Sequence, residues 1–162
     1  MSKVVRKTFL LFLFALFFQS HLSFGQRSKS KAYIADLKAI TDIMVYDVTS
    51  PVAAARYYAY STLASYEILT LQENEKYPSF FAIFQRPLKD PLPQRVQLKN
   101  EAAAYRYALL FSASKLLPSG KKLIPRIESL KQELEEKEML FIEQMAQTVI
   151  EYANQDGFLQ LN

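Results

Sequence analysis

The stretch from Ser50 to Leu71 reads SPVAAARYYAYSTLASYEILTL. Ser50-Pro51 is a helix start. The serine oxygen can accept from an unpaired N–H of the first turn, and proline at the first helical position sacrifices no hydrogen bond. From Pro51 to Leu71 the only charged side chains are Arg56 and Glu67. A helix without a charged face has to be enclosed by protein on most sides. The stretch therefore predicts an all-α fold, a bundle of four to five helices with this second helix buried at its centre. At about 100° of rotation per residue, Arg56, Tyr60, Leu63 and Glu67 share one face. Arg56 and Glu67 stand about 16 Å apart along the axis and cannot pair with each other. Each needs a partner from elsewhere, because a buried unpaired charge costs several kcal/mol. Asp47, at the end of the preceding helix, is the expected partner of Arg56, and Arg106 that of Glu67. Asp47, Arg56 and Glu67 are thus expected as structural buried charges, not as catalytic groups.

Working outward, Ile34, Leu37, Met44 and Val48 form one apolar stripe and predict a first helix over about 31–48. Pro78, Pro87, Pro91 and Pro93 break any helix over 72–96, where Tyr77, Phe80, Phe81 and Phe84 should pin a long connection to the bundle. An alanine-rich helix is expected over 97–117, stopped by Pro118-Ser119-Gly120. The spacing of Ile127, Leu130, Leu134, Phe141, Met145, Val149 and Tyr152 predicts a helical stretch over 124–154, continuous or broken near Glu138. Glu133, Glu135, Glu136 and Glu138 read as a solvated face, since Lys131 and Lys137 are interleaved. Tyr57, Tyr58, Tyr60 and Tyr66 read as core packing with polar tips near the surface. Lys121, Lys122 and Arg126 are a weak candidate for an anion site.

The N-terminus has the order of a secretory signal. Lys3, Arg6 and Lys7 precede an apolar run from Phe9 to Phe18, and Ser23-Phe24-Gly25 offers a small-residue cleavage site. The run is short of the roughly 20 residues a membrane span needs. The expected organisation is a signal peptide at 1–25 and one helical domain at 26–162, exported to the periplasm or beyond, with no stable membrane span after cleavage. Cleavage removes Lys3, Arg6 and Lys7 and no acidic residue, so most of the formal +4 charge goes with the leader. The basic balance is therefore no argument for nucleic-acid binding.

The leader also carries His21, the only histidine, and the chain has no cysteine. Residues 26–162 can build neither a His/Cys zinc site nor a Ser–His or Cys–His nucleophile pair. With Gly25, Gly120 and Gly157 the only glycines, no phosphate-cradling loop is present.

One longer segment carries a resemblance. Thr41 to Ser61, TDIMVYDVTSPVAAARYYAYS, continuing through Leu63-Ala64-Ser65-Tyr66-Glu67, resembles the N-terminal helical part of exported bacterial proteins of the vanadium-dependent haloperoxidase and type 2 phosphatidic acid phosphatase superfamily. The closing Tyr152-Ala153-Asn154-Gln155-Asp156-Gly157-Phe158 is similar to a boundary segment that precedes the catalytic half of those proteins. The resemblance covers most of residues 31–158. It implies a helical bundle whose catalytic half binds phosphate or vanadate with a Lys, two Arg, a Ser-Gly turn and two His. One His acts on the apical oxygen.

This sequence departs from that set. In the family's Lys-x6-Arg-Pro motif, Arg86-Pro87 is present but Ser79 stands at the lysine position. In Pro-Ser-Gly-His, Pro118-Ser119-Gly120 is followed by Lys121. The third motif, Ser-Arg-x5-His-x3-Asp, has no counterpart. Both partial matches read as loop punctuation and a helix stop. The resemblance thus implies the non-catalytic N-terminal half, inactive alone, with the family's vanadate or phosphate site absent and no other cofactor expected. Its expected partners are a catalytic C-terminal half or a second copy of itself. Two alternatives stand beside it: half of a split acid phosphatase completed by a second chain, or a stand-alone periplasmic helical binding module.

Overall fold

The computed structural model describes residues 30–73, 76–84 and 91–157. The expected signal peptide, Arg86-Pro87 and Phe158 lie outside the described residues. The chain divides into two compact units, Met1–Ala35 and Asp36–Asn162. Of the first, residues 30–35 are described and are helical.

The second unit opens with α1, helical over residues 36–46. It continues with α2 (Pro51–Gln72), the single turn α3 (Phe80–Ile83), α4 (Glu101–Leu116), a 3-10 turn (Gly120–Leu123), α5 (Ile124–Lys131) and α6 (Glu136–Asn154). No strand occurs among the described residues. The protein is an all-α bundle, and none of the described helices is long and apolar enough to cross a membrane.

The caps explain the boundaries. The Ser50 hydroxyl accepts from the Ala53 N–H at 3.3 Å and Pro51 begins α2, as its sequence requires. The expected third helix starts later than position 97. Residues 91–98 are non-helical after Pro91 and Pro93, and Asn100 caps α4 by accepting from the Ala103 N–H at 3.2 Å.

The stretch 124–154 is two helices, α5 and α6. A capping box divides them: Glu135 is the N-cap of α6, and the Glu138 carboxylate accepts from the Glu135 N–H at 2.7 Å. This corrects the reading of Glu133 to Glu138 as one solvated face. Glu138 is fully buried, and it also accepts from the Lys99 N–H at 2.6 Å. Its position in the acidic run hides a carboxylate that answers two backbone donors.

Two helices share the centre. α2 buries Ala53, Ser61, Ala64 and Ser65, and α4 answers with Ala103, Ala104, Ala108 and Ser112. Side chains this small let the two backbones approach closely, and Ser65 donates its hydroxyl to the Tyr105 carbonyl oxygen at 2.5 Å. On its other sides α4 is met by α6, the 3-10 turn and α5. Leu109, Leu110, Ile142 and Met145 are fully buried in this layer. Each such side chain contributes about 1.5–3 kcal/mol of apolar transfer free energy.

Gly120 has a steric role. A Cβ there would lie 2.4 Å from the Ser114 backbone oxygen, so only glycine lets the chain turn against the end of α4.

Candidate functional site

Two residues of the predicted face of α2, Tyr60 and Leu63, line an aromatic cleft between α2, α3 and α6. Its walls are the rings of Tyr60, Tyr66, Phe80 and Tyr152, with Ala59, Thr62 and Leu63 from α2 between them, and its volume is about 560 Å³. That falls within the roughly 300–1,000 Å³ usual for small-molecule sites. The rings brace one another. Tyr60 and Tyr152 meet edge to face at 6.0 Å, and Phe80 and Tyr152 at 5.8 Å. Phe81 closes the cluster from behind at 5.5 Å from Tyr152.

Each end of the cleft is held by one of the two charges of α2. Arg56 donates from Nε to Asp156 at 2.7 Å and from its second terminal nitrogen to the Ala153 carbonyl oxygen at 2.7 Å. It thereby satisfies the C-terminus of α6, where a cation is favoured. Its guanidinium also lies 5.4 Å from the Tyr60 ring centroid. Burial and then the Asp156 carboxylate push the Tyr60 hydroxyl up to about 12, so it stays protonated.

At the other end Glu67 is fully buried and has only neutral donors. Ser79 donates its hydroxyl at 2.8 Å, Phe80 its N–H at 2.8 Å and Thr70 its hydroxyl at 3.4 Å. This carboxylate fixes α3 and places the Phe80 ring. Tyr66 assists by donating to the Pro78 carbonyl oxygen at 2.8 Å. Burial raises the Glu67 pKa above the ordinary 4.5, against the pull of those three donors.

The partners differ from those expected. Asp47 does not meet Arg56. It is half-buried and accepts from the Ser119 N–H at 3.0 Å, tying the α1–α2 turn to the turn after α4. Arg106 does not meet Glu67. Its Nε donates to Asp36 at 2.6 Å, and Arg126 reaches the same carboxylate at 3.2 Å. Asp36 is fully buried and joins α1, α4 and α5. The sequence reading missed it, although Asp36 precedes buried Ile40 by one turn and shares its face.

The lysine and arginine cluster near α5 does not assemble into one site. Arg126 is on Asp36, and Lys122 lies 3.2 Å from the Tyr46 ring centroid. Of the tyrosines, Tyr57 is buried in the core and Tyr58 shares a 2.5 Å hydrogen bond with Thr41, whereas Tyr60 and Tyr66 line the cleft. The aromatic partners from outside α2, Phe80 and Tyr152, become visible only when the helices are packed.

Among the described residues no group of three His, Cys, Asp or Glu side chains is arranged to hold a metal ion. No protein-family model, curated protein or solved structure matches this chain.

Proposed function

We propose that this chain supplies the non-catalytic helical part of an exported protein of the phosphatidic acid phosphatase and vanadium haloperoxidase kind. Its work is to pack against a catalytic helical half, carried by a second chain or by further residues of the same polypeptide. On its own it has no turnover.

The observation that carries this reading is the corner between α1 and α2. Val45, Tyr46, Val48 and Val52 fall within eight consecutive residues and are 72%, 65%, 89% and 71% exposed. Single exposed apolar side chains are ordinary, but a cluster at one corner is the mark of a contact surface. Val48 also has φ +50°, a conformation unfavourable for a β-branched residue. Strain of this kind persists where the surroundings or a function require it.

The site chemistry points the same way. Ser79, at the family's lysine position, is engaged with Glu67, and Gly120, in the partial second motif, is packed against Ser114. Both act as parts of the fold. With no histidine after His21, an imidazole for phosphoryl chemistry has to come from another polypeptide segment.

The test is reconstitution. The purified full chain, alone and mixed with the product of the next reading frame, is assayed for phosphate release from a phosphate monoester. Turnover by the chain alone refutes the proposal. Turnover only in the mixture establishes the split phosphatase, the enzyme-forming version of the same packing role. Sedimentation of the chain with Val48→Asp and Val52→Asp together tests the corner. Association that persists unchanged removes it as the contact surface.

A further inference from the structure

We propose that the cleft between α2, α3 and α6 binds a small quaternary-ammonium cation, held by the rings of Tyr60, Tyr66, Phe80 and Tyr152. The selection is electrostatic. Aromatic faces carry negative potential and attract a soft, weakly hydrated cation, most strongly where water is excluded. Four rings converge here, and the residues between them, Ala59, Thr62 and Leu63, bear no charge. No lysine or arginine is among the lining residues to repel such a ligand or to attract an anion.

The second observation is Glu67. It is fully buried and accepts the Phe80 backbone N–H at 2.8 Å, and its other donors are two hydroxyls, none of them a cation. A carboxylate in that position adds attraction for a positive ligand in front of the ring, with little solvent screening between. At the other end, the Arg56 guanidinium already lies over Tyr60 at 5.4 Å, which shows a ring of this cleft serving as a cation receptor. The Arg56 charge is offset there by Asp156 at 2.7 Å, so the pair presents no net charge to the cleft.

A bulky ammonium group suits these walls better than a primary amine. The rings offer faces but few free acceptors: the Tyr66 hydroxyl is committed to Pro78 and the Glu67 oxygens to Ser79 and Phe80. A primary ammonium would lose hydration without regaining hydrogen bonds, whereas a methylated one has none to lose.

The experiment titrates the purified full chain with choline and with 3,3-dimethylbutanol, its uncharged isostere, by calorimetry or by tyrosine fluorescence, since the chain has no tryptophan. Choline is expected to bind saturably, about tenfold more tightly than the isostere. Tyr66→Leu should abolish binding, and Tyr66→Phe, which keeps the ring, should retain it. Glu67→Gln should weaken choline severalfold without altering the isostere. Equal binding of choline and isostere overturns the proposal, as does the absence of saturable choline binding. Wild-type affinity in a folded Tyr66→Leu chain overturns the location. If Tyr66→Leu does not fold, the charge comparison and Tyr66→Phe decide alone: loss in the phenylalanine variant counts against ring recognition.

Discussion

Arg56 on α2 and Asp156 at the end of α6, 100 residues apart in sequence, are joined at 2.7 Å, and the guanidinium also takes the Ala153 carbonyl oxygen. One side chain therefore closes the last helix of the bundle onto its second. The Arg56 side chain is 8% exposed and that of Asp156 is 23% exposed, so the pair is better shielded than a surface salt bridge.

Arg56→Ala is expected to lower stability by about 2 kcal/mol, because the Ala153 oxygen and the Asp156 carboxylate lose their partner together. Asp156→Asn should cost less, since an amide oxygen still accepts from Nε. Urea denaturation of both variants checks this, and an unchanged midpoint for Arg56→Ala contradicts the packing of α6 described above.

Asp36 anchors two guanidinium groups of unequal exposure. Arg106 is 24% exposed and Arg126 is 49% exposed. Asp36→Asn should cost about 3 kcal/mol, the scale of breaking a buried ion pair. Arg126→Ala should cost no more than about 0.5 kcal/mol, as solvent screens that contact. A larger loss for Arg126→Ala than for Asp36→Asn would reverse the assignment of the buried member.

Gly120→Ala separates a steric role from a chemical one. With a Cβ 2.4 Å from a backbone oxygen, the turn after α4 has to shift. A loss of about 1–3 kcal/mol is expected, the cost of overpacking. A thermal melt like that of the wild type shows that the turn has room.

Val48→Gly tests strain at the exposed corner. The residue at φ +50° makes no buried contact that glycine would lose, being 89% exposed. Relief of the left-handed conformation should offset the entropy of glycine and raise stability by up to about 1 kcal/mol. A fall in melting temperature argues that the valine side chain is held by contacts with a neighbouring molecule.

Glu67 governs part of the pH response. Burial raises its folded-state pKa above 4.5. Only between 4.5 and the folded-state value does the folded protein retain a proton that the unfolded chain has released. The stability from this group is therefore complete below 4.5 and is lost as pH rises through the folded-state value. Glu67→Gln removes the titration. The stability of the wild type relative to Glu67→Gln should fall as pH rises above 4.5, and a constant difference across about pH 4–7 rules out a raised carboxylate at this position.

The legibility of the fold was uneven along the chain. Ser50-Pro51 placed the start of α2 at the correct residue because capping is local: hydroxyl, ring and first turn lie within four positions. Whether the last helical stretch was continuous or broken near Glu138 stayed open from the residues alone, since a buried glutamate in an acidic run has the same letters as an exposed one. The face of α2 carrying Arg56, Tyr60, Leu63 and Glu67 followed from helical rotation alone, but only Tyr60 and Leu63 of it line the cleft, with Ala59, Thr62 and Tyr66 from beside it. Phe80 stood out as a ring that pins a connection, but nothing in its spacing set it against Tyr152.

The amino-acid order alone determined the helical class, the start of α2, and the want of an imidazole beyond His21, because these depend on local periodicity and on composition. Partner choice was decided by the tertiary structure: Arg56 with Asp156 instead of Asp47, Arg106 with Asp36 instead of Glu67, and Glu67 with neutral donors. A helix fixes which direction a side chain points but not what it meets. That depends on the rotation and offset between packed helices, which small residues such as Ser65 and Ala104 set by allowing close approach.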